Sequence, residues 1–199
     1  MDCVIRLAAK KDCQAMLAIY SYYVSETVVS LEYEPPTPAE FERRYDSFTA
    51  QFPWLVFERG GEVLGYAYAH RFHERAAYSW SAECTVYVKN DQHRKGIGRA
   101  LYSALLEILR LQGYKTAVGL ICVPNDNSEA MHKFFGFQKQ GVVQNAGYKS
   151  GAWRSVAWYA LALSDYPNSP SPPLPIGDVS CAKEFISILS GSVNLVKNM

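Results

Sequence analysis

The stretch that most constrains this chain is residues 83–111, where a strand pattern gives way to a basic glycine loop and then to a helix pattern. Cys84-Thr85-Val86-Tyr87-Val88-Lys89 is β-branched and aromatic, which predicts an extended segment. Asn90, Asp91 and Gln92 interrupt it, and His93-Arg94-Lys95-Gly96-Ile97-Gly98-Arg99 follows. From Ile97 onward, Ala100, Leu101, Ala104, Leu105, Ile108 and Leu111 recur at the spacing of one helix face. The first N–H groups of a helix have no intrahelical partner, and the helix dipole adds positive charge there. Glycine lets another group approach the backbone closely. With the cations of Arg94, Lys95 and Arg99, the loop reads as an anion cradle for a phosphate or pyrophosphate. It is no Walker A loop, because no Lys-Ser or Lys-Thr follows the second glycine, and it lacks the third glycine of a dinucleotide fingerprint. A tight strand-to-helix turn with a solvated basic rim would use the same residues.

The 199 residues suffice for one domain and an appendage, or at most two small domains. A net charge of +1 gives no global basic field, which argues against nucleic acid as a partner. Fourteen Tyr, nine Phe and four Trp predict an aromatic core and an aromatic-lined pocket. The five cysteines (Cys3, Cys13, Cys84, Cys122 and Cys181) are odd in number and widely spaced, without a Cys-x-x-Cys pair. They read as reduced thiols in a reducing compartment, implying neither metal nor disulfide framework. There is no basic-then-apolar leader and no apolar run of membrane-spanning length, so the expected address is the cytoplasm.

In chain order, residues 4–8 read as a strand, and Asp12 is placed to cap a helix whose face carries Ala15, Met16, Ile19, Tyr20 and Tyr23. Residues 27–33 read as irregular or extended. Thr37 caps a second helix with Pro38 at its first position, running to about residue 51 on the face of Phe41, Tyr45 and Phe48. Residues 54–58 and 63–71 form a hairpin around Gly60 and Gly61, and residues 77–88 continue as a third antiparallel strand. Past the glycine loop and its helix, Gly113 is a stop signal and residues 116–123 are a strand. Residues 129–135 are a short helix, and residues 137–148 and 153–163 are two last strands. Residues 164–175 hold five prolines and read as a linker. Residues 182–189 form a short amphipathic helix in a tail expected to be poorly ordered unless it docks.

The order strand, two helices, three strands, glycine loop with helix, strand, helix, two strands resembles the GNAT acetyltransferases. The loop matches that superfamily's Gln/Arg-x-x-Gly-x-Gly/Ala as His93-x-x-Gly96-x-Gly98, with His93 a departure and Arg94 beside it. Residues 75–88 (Arg-Ala-Ala-Tyr-Ser-Trp-Ser-Ala-Glu-Cys-Thr-Val-Tyr-Val) resemble the phosphinothricin and methionine sulfoximine acetyltransferase family in particular. So do Leu101-Tyr102, Pro124-Asn125-Asp126-Asn127-Ser128, Met131-His132-Lys133, Gly136-Phe137 and Gly147-Tyr148-Lys149-Ser150-Gly151-Ala152-Trp153. The resemblance implies an α/β (α+β) GNAT fold over residues 1–163: a mixed, mostly antiparallel central sheet, splayed at the acetyl-CoA site and flanked by helices. Residues 164–199 remain as a Pro-rich linker and tail.

It further implies acetyl transfer from acetyl-CoA to the amino group of a small amino-acid-like substrate, without a metal, in a homodimer. Glu83 matches the family's proposed general base, although a strand-end glutamate can equally serve a salt bridge. Tyr102 is placed to protonate the departing thiolate, or else is a core tyrosine with a polar handle. The backbone of Val86, Tyr87 and Val88 would pair with the pantetheine amides as a pseudo-strand. Arg94, Lys95, Gly96, Ile97, Gly98 and Arg99 would take the pyrophosphate, and Asn125 and Ser128 would meet the pantetheine or acetyl end. On the acceptor side the resemblance puts Leu31, Arg75, Ala77, Tyr78 and His132, with Arg75 suited to gripping a carboxylate. His132 either lines the site or only bonds the backbone. His70 and His73 lack a third ligand nearby, which argues against metal. Ser30-Leu31 stands where the best-known family member has Asn-Phe, and Ser155 replaces an expected acidic residue, so the acceptor amine stays open. Two other readings compete: an enzyme acting on a peptide or protein N-terminus, and a non-catalytic acyl-CoA-binding module.

Overall fold

The computed structural model describes residues 3–196. Seven strands form one sheet, in the order β1-β2-β3-β4-β5-β7-β6. The strands are β1 (Cys3–Leu7), β2 (Trp54–Arg59), β3 (Glu62–Arg71), β4 (Ser81–Val88), β5 (Thr116–Val123), β6 (Gln138–Lys149) and β7 (Ala152–Ala162). Every neighbouring pair is antiparallel except β4 and β5. That parallel pair is joined only at Ser81–Thr116, Ala82–Ala117 and Glu83–Val118. Beyond Glu83 the two strands part, while β4 stays fully paired with β3 as far as Val88 with Gly65.

Helices α1 (Cys13–Glu26) and α2 (Pro38–Phe48) cover one face of the sheet; α3 (Ile97–Gln112) covers the other. Side chains alternate across a strand, and in β2 both faces are covered. Trp54 and Val56 pack under α1 and α2, whereas Leu55 and Phe57 join the core beneath α3. The stripe Ile97, Ala100, Leu101, Ala104, Leu105 and Ile108 is fully enclosed there, as the helix spacing predicts. α4 (Asp126–Phe134) lies on the same side as α3, and its His132 packs on the backbone of β5 at Gly119.

Several boundaries differ from the sequence reading for physical reasons. Asp12 precedes α1 but does not cap it: its carboxylate bonds the guanidinium of Arg6 and the N–H of Ala9. Thr37 does cap α2, accepting from the Glu40 N–H at 3.2 Å, but the helix ends at Phe48. Residues 77–80 are not strand. The chain makes a 3-10 turn at Ala76–Tyr78, fixed by the Ser79 hydroxyl on Ala76 O and by the Tyr78 ring against Phe72 and His73. β6 bulges between Val143 and Gly147, where Asn145 has φ 53° and its N–H bonds the Ser155 hydroxyl.

The segment after Leu163 is tied to the body. Trp80 Nε1 donates to Ser171 O, and Gln112 Nε2 donates to Leu174 O at 2.7 Å and to Gln51 O at 2.8 Å. Two helices follow, α5 (Ile176–Val179) and α6 (Lys183–Val193). Ile176, Val179 and Phe185 are buried in the α3 core, so the second helix is longer than its sequence pattern suggests and lies beside α3 and β1.

Candidate active site

The site is built around the point where β4 and β5 separate. Ala82, Cys84, Val86 and Val88 point into the core beneath α3. By alternation Glu83, Thr85 and Tyr87 therefore face α1 and α2, and Tyr87 joins the aromatic cluster there. Across the antiparallel register Glu83 stands opposite His70, and Thr85 opposite Tyr68. His70 Nε2 is 3.7 Å from Glu83 Oε1. Its Nδ1 lies 2.9 Å from Arg71 O, and a carbonyl only accepts, so Nδ1 carries the hydrogen. In a neutral ring this leaves the Nε2 lone pair facing the carboxyl. Burial pushes the Glu83 pKa above the usual carboxylate value, and the nearby imidazoles of His70 and His73 offset part of that rise. A half-buried carboxyl with a raised pKa can take a proton from an ammonium nearer to neutral pH than a solvated one.

The anion loop sits at the far end of β4. Arg94 (φ 64°) and Gly96 (φ 91°) both adopt the left-handed conformation, which bends the backbone into a concave turn of N–H groups. Gly96 is the N-cap of α3 and offers no side chain, and the first intrahelical bond here is Ala100 N to Gly96 O. The N–H groups of Ile97, Gly98 and Arg99 are thus left for an external anion. The Arg99 guanidinium is held 4.2 Å over the Phe134 ring of α4, Lys95 bonds Gln92, and Arg94 has no side-chain partner among the described residues. His93, though exposed, turns towards α1: its Nε2 lies 2.8 Å from the Tyr23 hydroxyl and 3.2 Å from Val88 O, and Tyr23 itself donates to Val88 O at 2.5 Å. His93 therefore braces the loop against α1 rather than meeting the anion. The free edge of β4 past Glu83, the uncapped amides and the basic rim fit a pantetheine-diphosphate chain.

Other expected residues are placed differently. Tyr102 is wholly enclosed, with its ring beside Phe135 and Phe137. His132 Nδ1 lies 2.8 Å from Ser128 O and so must donate, which leaves Nε2 to accept from the Tyr102 hydroxyl at 3.0 Å. Burial keeps that imidazole neutral and raises the Tyr102 pKa far above its ordinary value. Tyr102 thus sits in the core with its hydrogen engaged, and His132 bonds the backbone rather than lining an acceptor pocket. Asn125 Oδ1 caps α4 by accepting from the Ser128 N–H, so its carbonyl end is engaged at the helix start. Arg75, Ala77 and Tyr78 are exposed on the turn between β3 and β4, and Arg75 has no partner among the described residues.

Lys149 was missed by sequence reasoning. The residue is 5% exposed, and its ammonium donates to Val24 O and Ser30 O, both at 2.7 Å, with no carboxylate partner among the described residues. Leu31 rests on Gly147, where an added Cβ would come within 3.0 Å of its Cδ1, and the Tyr33 hydroxyl donates to Tyr148 O. Ser30 is buried and bonds Tyr20, and Glu32 is pinned by Tyr20 and Arg44. The loop between α1 and α2 is thereby zipped onto the end of β6. Period-two parity with Gly147 was the signal available for Lys149. A separate groove of about 870 Å³ lies between α1 and the β2–β3 hairpin, but most of its charges are paired (Arg6 with Asp12 and Glu58, Lys89 with Glu62) and Glu83 is not on its wall. Among the described residues, no three His, Cys, Asp or Glu side chains gather as a metal site.

A GNAT acetyltransferase domain model matches residues 5–158. The chain belongs to the GNAT acetyltransferases. It is 37% identical over 176 residues to a phosphinothricin N-acetyltransferase of Streptomyces viridochromogenes, covering 88% of this chain and 94% of the relative. It is 33% identical to an L-methionine sulfoximine/L-methionine sulfone acetyltransferase of Pseudomonas aeruginosa, covering 85% and 100%. Among solved structures, a GNAT superfamily phosphinothricin acetyltransferase of Sinorhizobium meliloti in complex with acetyl-CoA superposes with a TM-score of 0.81 at 30% identity, covering 88% of this chain and 99% of that one. This GNAT chain is accordingly an N-acetyltransferase whose acetyl donor is acetyl-CoA.

Lys149→Met is expected to unzip the loop between α1 and α2. A hydrogen bond to a charged group contributes about 1.5–3 kcal/mol. Amide exchange at Leu31 and Glu32 should therefore speed up by about tenfold or more, and the acceptor KM should rise while the acetyl-CoA KM holds. Unchanged exchange would mean that the ammonium is not what holds the loop.

Proposed function

We propose that this GNAT enzyme acetylates the α-amino group of a small amino-acid-like acceptor of the phosphinothricin or methionine sulfoximine type, with Glu83 as general base. Acetyl-CoA, bound along the free edge of β4 and the α3 loop, supplies the activated acetyl group. The observation that carries the reading is the position of Glu83, a half-buried carboxyl of raised pKa where β4 and β5 part. Glu83 takes the proton that the acceptor ammonium must lose before its nitrogen has a lone pair. The nitrogen then bonds to the acetyl carbon, the carbon–sulfur bond breaks, the thiolate leaves, and the proton that the acylated nitrogen sheds on becoming an amide goes to that thiolate through solvent. We assign no side chain to protonating that thiolate, because the Tyr102 hydrogen is engaged with His132. Arg75, exposed and without a partner among the described residues, is assigned to the acceptor carboxylate, with Tyr78 beside it and Leu31 on the zipped loop as the opposite wall.

Two further assignments belong to the same reading. Cytoplasmic residence is supported by five free thiols, and no helix among the described residues is long and apolar enough to cross a membrane. A homodimer is supported by the β6–β7 edge of the sheet, where exposed Tyr148 and Trp153 pack together 5.5 Å apart beside exposed Tyr33. Light scattering should give a mass of two chains for the wild type and of one for Trp153→Lys; a wild-type monomer would remove the dimer.

Thiol release measured with a panel of amines tests the chemistry. Glu83→Gln should keep acetyl-CoA binding and lose about a hundredfold to ten-thousandfold in turnover. Because only the ionised carboxyl is a base, wild-type activity should fall as pH drops through the Glu83 pKa, on a limb above the usual value of 4.5. A variant with near-wild-type rates at every pH would exclude Glu83 as the base.

If Arg75 holds a carboxylate, amino acids should be acetylated about tenfold or more better than the matching decarboxylated amines, as expected for a charged hydrogen-bonded contact. Arg75→Ala should erase the difference. Equal rates on peptide N-termini or decarboxylated amines would shift the reading to a protein-directed acetyltransferase.

A further inference from the structure

The two glycines of the anion loop face different neighbours. A Cβ on Gly98 would stand 3.4 Å from Val88 Cγ2 and 3.9 Å from Met131 Sδ, so Gly98 looks into the cleft between β4 and α4. A Cβ on Gly96 would stand 2.6 Å from the carbonyl oxygen of Leu195 and 3.1 Å from the Cα of Val196. Those are backbone atoms, which cannot swing aside as a side chain tip would. The end of the C-terminal segment thus lies directly on the loop, and the bare Cα of Gly96 is what admits it.

That end is built, not merely adjacent. Leu195 N and Val196 N bond Ser192 O and Val193 O, continuing the last turn of α6. α6 is anchored by buried Phe185, with Ile188, Leu189, Val193 and Val196 packed on the same core, between α3 and β1. It approaches α3 from the β1 flank, opposite the β4–α4 cleft that Gly98 faces. Up to Val196, the described tail therefore lies outside the cleft and backs the loop from behind. The loop needs backing: a non-glycine residue with positive φ, here Arg94 at 64°, persists only where its surroundings hold it.

We infer that Leu195 and Val196 are positioning residues for the acetyl donor. By pressing on Gly96 they fix the left-handed turn that aims the N–H groups of Ile97, Gly98 and Arg99 at the diphosphate, so that tail docking and acetyl-CoA binding favour one another. This rests on the reading of the loop as the diphosphate site. Binding preorganised amides avoids the ordering cost that a loose loop would incur on each binding event. By linkage the coupling is reciprocal: whatever factor the tail lends to acetyl-CoA affinity, acetyl-CoA lends to tail docking.

The test compares the full chain with one lacking residues 195–199, which keeps α6 and Phe185, and with Gly98→Val. Acetyl-CoA affinity is read by calorimetry, and folding by thermal unfolding. The truncated chain should bind acetyl-CoA about tenfold more weakly, within the usual range of such couplings, and raise its acetyl-CoA KM alike. Its kcat at saturating acetyl-CoA and its acceptor KM should stay within about twofold, a split that general loss of structure would not give. In the intact chain, saturating acetyl-CoA should slow carboxypeptidase digestion past Val196 by a similar factor. If truncation leaves affinity unchanged or tightens it while Gly98→Val still weakens binding, the tail inference falls and the loop reading stands. If Gly98→Val also binds normally, the loop reading itself falls. Digestion at the same rate with and without acetyl-CoA would overturn the coupling even if the truncated chain proved unstable.

Discussion

Three residue pairs of a parallel ladder decide how this molecule works. β4 and β5 are joined only as far as Glu83 and Val118, and then part. An unpaired strand edge inside a protein leaves backbone donors and acceptors without partners, a cost that native structures rarely bear. Here Tyr23 and His93 engage the Val88 end of that edge, and the stretch of β4 between Glu83 and Val88 lies between α3 and α4, on the way from a half-buried carboxyl to a turn of uncapped amides. A ligand carrying amides along its length and a diphosphate at its end would satisfy both. The proposed acetyl transfer rests on that one interruption, which opens a path for the donor and leaves the Glu83 carboxyl at its end.

The charges around the gap are unequally treated. Glu83 is half-buried without a firm partner, and its proton affinity rises accordingly. Lys149 is more deeply buried and faces two carbonyls, so its pKa is lowered by desolvation while its hydrogen bonds keep it in place. The cations of the loop stay near solvent: Arg99 stacks on Phe134, and Arg94 is left free among the described residues. Charge is thus withdrawn from water beside the strand gap and beneath the loop between α1 and α2, and left near solvent at the start of α3.

Much of this was legible before any coordinates. The face Ile97 to Ile108 is a strong helix signal because a buried helix needs an unbroken apolar stripe, and the glycines at its start mark the anion loop. The strand at Glu83 was readable too, since β-branched residues on a sheet buried on both faces leave little choice. What escaped was set by particular side-chain partners, near and far in sequence, that no periodicity encodes. Asp12 looks like a cap until Arg6, one strand away, claims it. Residues 77–80 suit a strand until aromatic stacking at Phe72 and the Ser79 hydroxyl bend them. His93 occupies a motif position, yet Tyr23 on a distant helix turns it towards α1. Tyr102 follows the family pattern, but only packing shows that His132 takes its hydrogen. The tail's docking depends on Gly96, about a hundred residues earlier in the chain.

Amide hydrogen exchange with and without acetyl-CoA tests the central claim most directly, because it maps where the donor lies without assuming any catalytic role. Binding should slow exchange in two places: the unpaired β4 amides beyond Glu83, and the amides of Ile97, Gly98 and Arg99. The groove between α1 and the β2–β3 hairpin should show no change at Gly61, Glu62 and Val63. Protection confined to that groove, with the β4 edge and the start of α3 unaffected, would contradict the account.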